Sequence, residues 1–572
     1  MPIKKSELYS SLWKSCDELR GGMDASQYKD YVLVLLFMKY VSDKAASQKG
    51  YLLDVPKGGS FADMVALKGD KEIGDKINKI ISKLAEANDL KGVIDVADFN
   101  DADKLGKGKE MVDRLSNLVA IFDTPALDFR SNRAEGDDLL GDAQEMDNAT
   151  AALARMNMIL HDCPTAEIWQ DNTLSSPHFK APDGRLKTFD FVVANFPFST
   201  KTWSNGFDAA NDVYGRFGFG IPPRKNGDYA FLLHILACLK STGTGAVIHP
   251  HGVLFRGGAE ATIRREIVRR GYIKGIIGLP ANLFYGTGIP ACILVLDKEH
   301  AHARKGTFMI DASKGFIKDG NKNRLRAQDI HRIVDAFTRQ LELPRYSRMV
   351  PLSEITDPKN DFNLNLPRYI DSTEPEDVQD IDGHLRGGIP DRDVDALDRY
   401  WQVMPAVRPL LFESAGRAGY SRLKVPEGEI KAAILGHAEF AAFNDSVTAL
   451  FGKWKTRNAP RLSAINAGDH PKALIETLSE ELLATFGKAS LIDPYDVYQH
   501  LADYWAATLQ DDVYLVAQAG WVDAAKPRGI VETREQKSKE QPDFTVGRQK
   551  FKSDLIPAVL LVARYFAAAE AD

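Results

Sequence analysis

Phe189-Asp190-Phe191-Val192-Val193-Ala194-Asn195-Phe196-Pro197-Phe198-Ser199 is the stretch from which the fold of this chain can be read. Five apolar residues with one Asp among them predict a buried strand ending at Asn195. Pro197 cannot join a sheet ladder, so Asn-Phe-Pro-Phe is expected in the loop just beyond the strand's C-terminal end. In open α/β sheets that edge is where ligands bind. An amide, a bare main-chain carbonyl and an aromatic ring at this place suit a planar, hydrogen-bonding substrate such as a nucleobase.

Around this stretch, strand and helix alternate. A helix is predicted from Gly227-Asp228-Tyr229-Ala230-Phe231 to residue 240, with Asp228 as its N-terminal cap. A short strand, Ala246-Val247-Ile248, ends at His249-Pro250-His251, two histidines that do not by themselves make a metal site. A basic helix over 260–270 carries Arg264, Arg265, Arg269 and Arg270, read as a solvated face. Strands at 276–278 and 292–296 flank a loop rich in glycine and proline, and a last strand at 308–310 precedes a helix over 327–341. This is an α/β pattern.

Upstream, residues 6–123 read as helical. Leu8, Leu12 and Leu19 lie at helical spacing, and Asp24-Ala25-Ser26-Gln27 resembles a capping box before an apolar helix over 28–41. Further amphipathic stretches cover 73–87 and 109–122, and a helix over 148–161 turns Ala152, Met156, Ile159 and Leu160 inward. Downstream, 371–398 is acidic and linker-like, helical patterns return at 429–454, 472–486 and 497–509, and an apolar helix follows Pro557. The expected division is a helical domain over 1–143, an α/β core over 144–345 and a mostly helical region over 346–572.

The bulk numbers narrow the class. The 572 residues are 44% hydrophobic and 27% charged, ordinary for a globular chain. No apolar run approaches the roughly 20 residues a membrane helix needs. The four cysteines (Cys16, Cys163, Cys238, Cys292) form no CxxC pair, which argues against disulfides and a zinc knuckle and predicts a soluble, cytoplasmic protein. Net charge is −6, from 73 basic and 79 acidic residues. Phosphate contacts dominate nucleic-acid affinity, so a binder this acidic needs a local basic patch or a partner.

The ordered set of motifs resembles the modification subunit of type I restriction-modification systems, a family of N6-adenine DNA methyltransferases. It comprises Met23-Asp24-Ala25, Gln144-Glu145, Ala154-Arg155-Met156-Asn157 and Asp171-Asn172-Thr173-Leu174. It continues with Val193 to Ser199, Gly227 to Phe231, Gly252-Val253-Leu254-Phe255-Arg256, Gly278-Leu279-Pro280 and Asp493-Pro494-Tyr495-Asp496-Val497-Tyr498. The resemblance implies an α/β class I methyltransferase-like, Rossmann-like core flanked by N- and C-terminal helical regions. It implies methyl transfer from S-adenosyl-L-methionine to an adenine flipped out of DNA. The N6 amine is a poor nucleophile, and two acceptors at its hydrogens direct its lone pair toward the methyl group. By similarity, the Asn195 side chain and the Phe196 main-chain carbonyl are those acceptors, Pro197 shapes the turn, and Phe198 stacks on the base. Glu145 resembles the acid that holds the cofactor ribose, and Asp171 the one at its adenine edge. The implied partners are DNA, a specificity subunit, a restriction subunit and a second copy of the chain.

Two departures stand against the family pattern. Phe196 occupies a position that is commonly proline. More consequentially, the glycine-rich cofactor loop expected between the Leu139-Leu140-Gly141-Asp142-Ala143 segment and Gln144 is missing, so the core is expected to be incomplete at its first strand. Glycine there lets the backbone approach the methionine end of the cofactor. Two alternatives follow: a non-catalytic assembly subunit of the same fold, or an amine or amide methyltransferase acting on RNA or protein glutamine.

Overall fold

The computed structural model describes residues 5–20, 22–24, 27–124, 127–130, 142–161, 163, 165–373, 378–530, 541–555 and 564. The Ala25-Ser26 half of the expected capping box, Leu139 to Gly141 and the apolar segment after Pro557 lie outside these residues. The chain divides into two compact units, residues 1–178 with 465–471 and 506–572, and residues 179–464 with 472–505.

In the first unit, helices α1 (Lys5–Leu19), α2 (Tyr28–Ser47), α3 (Ile73–Ala87), α4 (Lys109–Phe122) and α5 (Asn148–Leu160) surround one apolar core. The spacing in α3 shows why. Ile77, Ile80, Ile81 and Leu84 recur at i, i+3, i+4 and i+7 and are all buried, while Asp75 and Lys79 pair on the outer face. Ala152, Met156 and Ile159 bring α5 into the same core. The start of α2 differs from expectation: Gln27 is its N-cap residue and makes no side-chain capping bond. Two short parallel strands, β1 (Ala143–Glu145) and β2 (Ile168–Gln170), flank α5 in sequence.

The second unit is built on a six-stranded mixed sheet of order β10-β7-β5-β6-β4-β3. Its strands are β3 (Phe189–Ala194), β4 (Leu239–Pro250), β5 (Ile273–Gly278), β6 (Ala291–Asp297), β7 (Gly306–Asp311) and β10 (Ser347–Pro351). A hairpin of β8 (Ile317–Asp319) and β9 (Lys322–Arg324) stands apart from it. β3 runs parallel to β4 through the crossover helix α6 (Asp228–Cys238), and β5 runs parallel to β7. α7 (Ala259–Arg269) precedes β5, and α8 (Ala327–Arg339) covers β5 and β7 with Ile333 and Ala336. Phe308 and Leu296, at 0% exposure, mark the centre of the sheet.

β3 departs from the sequence expectation in one respect. It is the edge strand, and Phe191 and Val193 are 73% and 80% exposed. A strand that reads as apolar throughout is buried only when neighbours cover both faces, and here one face stands open. The strand at 308–310 is likewise not the last, because β10 pairs antiparallel with β7 beyond it.

After the sheet come α9 (Ala438–Ser463), α10 (Pro471–Phe486) and α11 (Pro494–Tyr504). The Asp493 to Tyr498 motif has a structural explanation. Asp496 accepts from the Gln328 amide at 2.9 Å, Tyr495 donates to Asp335 at 2.9 Å, and Tyr498 stacks on His331. Together they dock α11 onto α8.

Candidate functional site

The loop beyond β3 is held at several points. Phe196 is buried, stacked on Phe231 with ring centroids 4.5 Å apart and edge-on to His249 at 4.9 Å. The phenylalanine that departs from the family's usual proline therefore fills a pocket behind the loop. Phe198 is half-buried and meets Phe284 edge-to-face at 6.3 Å. Thr200 donates its hydroxyl to the Pro197 carbonyl at 2.8 Å, and Gly227 donates its N–H to the Thr200 carbonyl at 3.0 Å. Ser199 sits in the left-handed region at φ +54° and donates its N–H to Asp228 at 2.7 Å. Between these anchors Asn195 is exposed, and neither its amide nor the Phe196 carbonyl has a partner among the described residues. The loop thus holds two free groups on a fixed backbone.

Asp228 is not the N-terminal cap that the sequence suggests. Gly227 occupies the N-cap position of α6, and Asp228 is fully buried, ion-paired with Arg256 at 2.8 Å. Arg264 is also no part of a solvated face. It is buried, donating to the carbonyls of Phe362, Val253 and Arg256. His249 closes the back of the site, and burial, with Arg256 adding to it, pushes its pKa down to about 3. It is a neutral packing residue behind Phe196. No group of three metal-ligating side chains stands together among the described residues.

Phe284 belongs to the loop joining β5 to β6, which the β8–β9 hairpin braces. Lys322 donates to the carbonyls of Phe284 and Thr287, and Asn323 to that of Ala281. Sequence periodicity missed this hairpin because its six residues, Ile-Lys-Asp and Lys-Asn-Arg, are mostly polar.

Glu145 and Asp171, in the other unit, end neighbouring parallel strands. Glu145 pairs in register with Gln170, and the Asp171 N–H donates to the Glu145 carbonyl at 3.0 Å. Glu145 accepts from the Asp147 N–H at 2.9 Å, and Asp171 from the Asn172 N–H at 2.7 Å. Gln144 fixes the following loop, donating to the Ser176 carbonyl and accepting from the His178 N–H. Arg155 of α5 donates twice to the Ile168 carbonyl, which explains its place in the Ala154 to Asn157 motif. The structure thus brings Asn195 to Phe198 together in one loop, and Glu145 and Asp171 together in another pair.

The fold and these strand-end loops define a class I methyltransferase-like protein. A solved type I restriction-modification methyltransferase subunit from Streptococcus thermophilus superposes with a TM-score of 0.56 at 25% identity, over 65% of this chain and all of that one. Residues 127–378 match the N-6 DNA Methylase family model, and residues 8–122 that of the HsdM N-terminal domain. The chain belongs to the methylase-subunit family of type I restriction enzymes. Similar proteins include the type I restriction enzyme MpnII methylase subunit of Mycoplasma pneumoniae, 32% identical over 42% of this chain and 44% of that protein. The MjaVII methylase subunit of Methanocaldococcus jannaschii is 34% identical over 42% of this chain and 41% of its own length. The chain thus spans less than half the length of these two relatives.

This fold and family imply use of S-adenosylmethionine. Glu145 and Asp171, carboxylates at adjacent strand ends, suit hydroxyl and amine donors. Residues 142–157 contain no glycine, and β1 and β2 form a two-stranded sheet. Among the described residues these two carboxylates fit the ribose and adenine ends of the cofactor, and no glycine-rich turn for its methionine end accompanies them.

Proposed function

We propose that this chain is the modification subunit of a type I restriction-modification complex and that its Asn195–Phe198 loop receives an adenine flipped out of DNA. One observation supports the reading above others: the Asn195 amide and the Phe196 carbonyl are free acceptors on a backbone pinned at Ser199 and Thr200. With Asn195 and Phe196 accepting from the two hydrogens of the exocyclic amine, the nitrogen lone pair points away from the ring. Pro197 biases Phe196 toward an extended backbone, and Phe198 offers a face for the base while Phe284 steadies its ring. In the family's reaction S-adenosylmethionine supplies the methyl group, and Glu145 and Asp171 would hold its ribose and adenine ends. DNA, a specificity subunit, a restriction subunit and a second copy complete the assembly in the cytoplasm. The acidic net charge of −6 fits a chain whose DNA attraction comes partly from a partner.

A second reading, an assembly subunit without methyl transfer, is favoured by the absent glycine segment and by the open face of β3 at Phe191 and Val193. Calorimetric titration of S-adenosylmethionine into the chain with specificity subunit and DNA separates the two. Binding supports the enzyme, and its absence supports the assembly role. Asn195→Ala is expected to lower labelled methyl incorporation by at least about a hundredfold, the scale of one lost transition-state hydrogen-bonding group, with complex assembly intact. Unchanged incorporation removes Asn195 from the mechanism.

A further inference from the structure

Two of the sequence's motifs, Gly227 to Phe231 and Gly252 to Arg256, meet in one ion pair. We propose that Gly252, Arg256 and Asp228 form a positioning device that fixes Ser199, and through it the Asn195–Phe198 loop, in the geometry needed for transfer. The proposal rests on the reading of that loop as the adenine site.

The links run in series. Asp228 is fully buried and divides its two carboxylate oxygens: one accepts the Ser199 N–H at 2.7 Å, the other faces Arg256 Nη1 at 2.8 Å. The same Nη1 reaches Glu260 at 3.3 Å, so the guanidinium is shared between two buried carboxylates. Ser199 is a non-glycine residue at φ +54°, a conformation that persists only where surroundings impose it. The Asp228 carboxylate is the group that imposes it. Gly252 completes the device. A Cβ built there would lie 2.4 Å from Arg256 Nε, 2.5 Å from Nη2 and 2.6 Å from Cζ, so the guanidinium occupies the space a side chain would need. Gly227 acts in the same sense beside Asp228: a Cβ there would lie 2.6 Å from Trp203 Cβ, and its N–H holds the Thr200 carbonyl. None of these side chains belongs to the acceptor pair, yet each is tied to the residues that follow it.

The device predicts that disturbing Gly252 acts on the loop through Arg256 alone. Gly252→Ala, Arg256→Gln, their double variant, Asp228→Asn and Arg256→Lys are compared in the full chain. Amide exchange across residues 197–201, read by mass spectrometry, is expected to speed up about tenfold or more in Gly252→Ala and in Arg256→Gln. The double variant should be no faster than either, as for residues of one network. Asp228→Asn, which keeps an acceptor for Ser199 and loses the charge, should fall between. With specificity subunit and DNA, the same variants should lower kcat by tens of fold with the KM for DNA unchanged, because small misplacements of reacting groups are costly. Arg256→Lys should recover part of the rate. Unchanged exchange, additive exchange in the double variant, or faster exchange with an unaltered kcat would each overturn the proposal. Should the parent chain transfer no methyl group, the enzyme reading fails, and the exchange cycle alone decides whether the device exists.

Discussion

The loop beyond β3 and the loops beyond β1 and β2 each carry polar groups at the C-terminal ends of parallel strands, yet their surroundings differ. The first is backed by a six-stranded sheet, a stacked Phe196–Phe231 pair and a buried ion pair. The second rests on two strands of three residues each, with its carboxylates engaged by main-chain N–H groups one and two residues ahead. Short parallel strands need cover on both faces to hold a shape. The difference teaches that the first loop is fixed by long-range packing, whereas the second is held mostly by bonds within its own short segment.

Removing packing from the braced loop should produce the largest effect at neutral pH. Phe196→Ala deletes a ring held against Phe231 and His249, and a loss of about 3 kcal/mol in urea unfolding is expected. A loss under about 1 kcal/mol would show that the loop does not depend on this stack.

His249 offers a test through pH. Its folded-state pKa of about 3 lies below the ordinary histidine value, so below about 6.5 the unfolded chain binds a proton that the folded chain refuses. The contribution is fully present above that pH. It is lost as pH falls toward the folded value, by about 1.4 kcal/mol per pH unit. His249→Leu should flatten the acid side of the stability profile, measured as urea midpoint against pH. An unaltered slope would mean that His249 stays accessible to solvent protons.

At the Glu145–Asp171 pair, Glu145→Gln should change stability by less than about 0.5 kcal/mol, since the half-exposed side chain meets one main-chain N–H. Cofactor affinity, by calorimetry, should fall if Glu145 holds the ribose. The smallest effect belongs to the open face of β3. Val193→Thr, at a position 80% exposed, should leave the urea midpoint within about 0.5 kcal/mol of the parent. A large loss there would show that the face is covered in solution.

What was legible in the sequence depended on range. Pro197 and the apolar run before it place the loop at a strand end by local rules alone, and the structure puts it there. The apolar run could not reveal that Phe191 and Val193 face outward, because burial is a property of neighbouring elements. Asp228 and Arg264 were misread for a related reason. The partners of Asp228 lie 28 and 29 residues away and the farthest partner of Arg264 lies 98 away, beyond any local pattern. Glu145 and Asp171 stand out only through resemblance, since a carboxylate at a turn carries no distinguishing signal of its own.

The open face of β3 also bears on how the chain behaves at high concentration. An edge strand with exposed Phe and Val is a template for unwanted pairing between molecules. Asp190 of β3 and Lys240 of the neighbouring β4 form an exposed ion pair at 2.8 Å beside it. Charges beside an apolar strand act as gatekeepers against aggregation, so their removal would be expected to cost solubility before it cost folding.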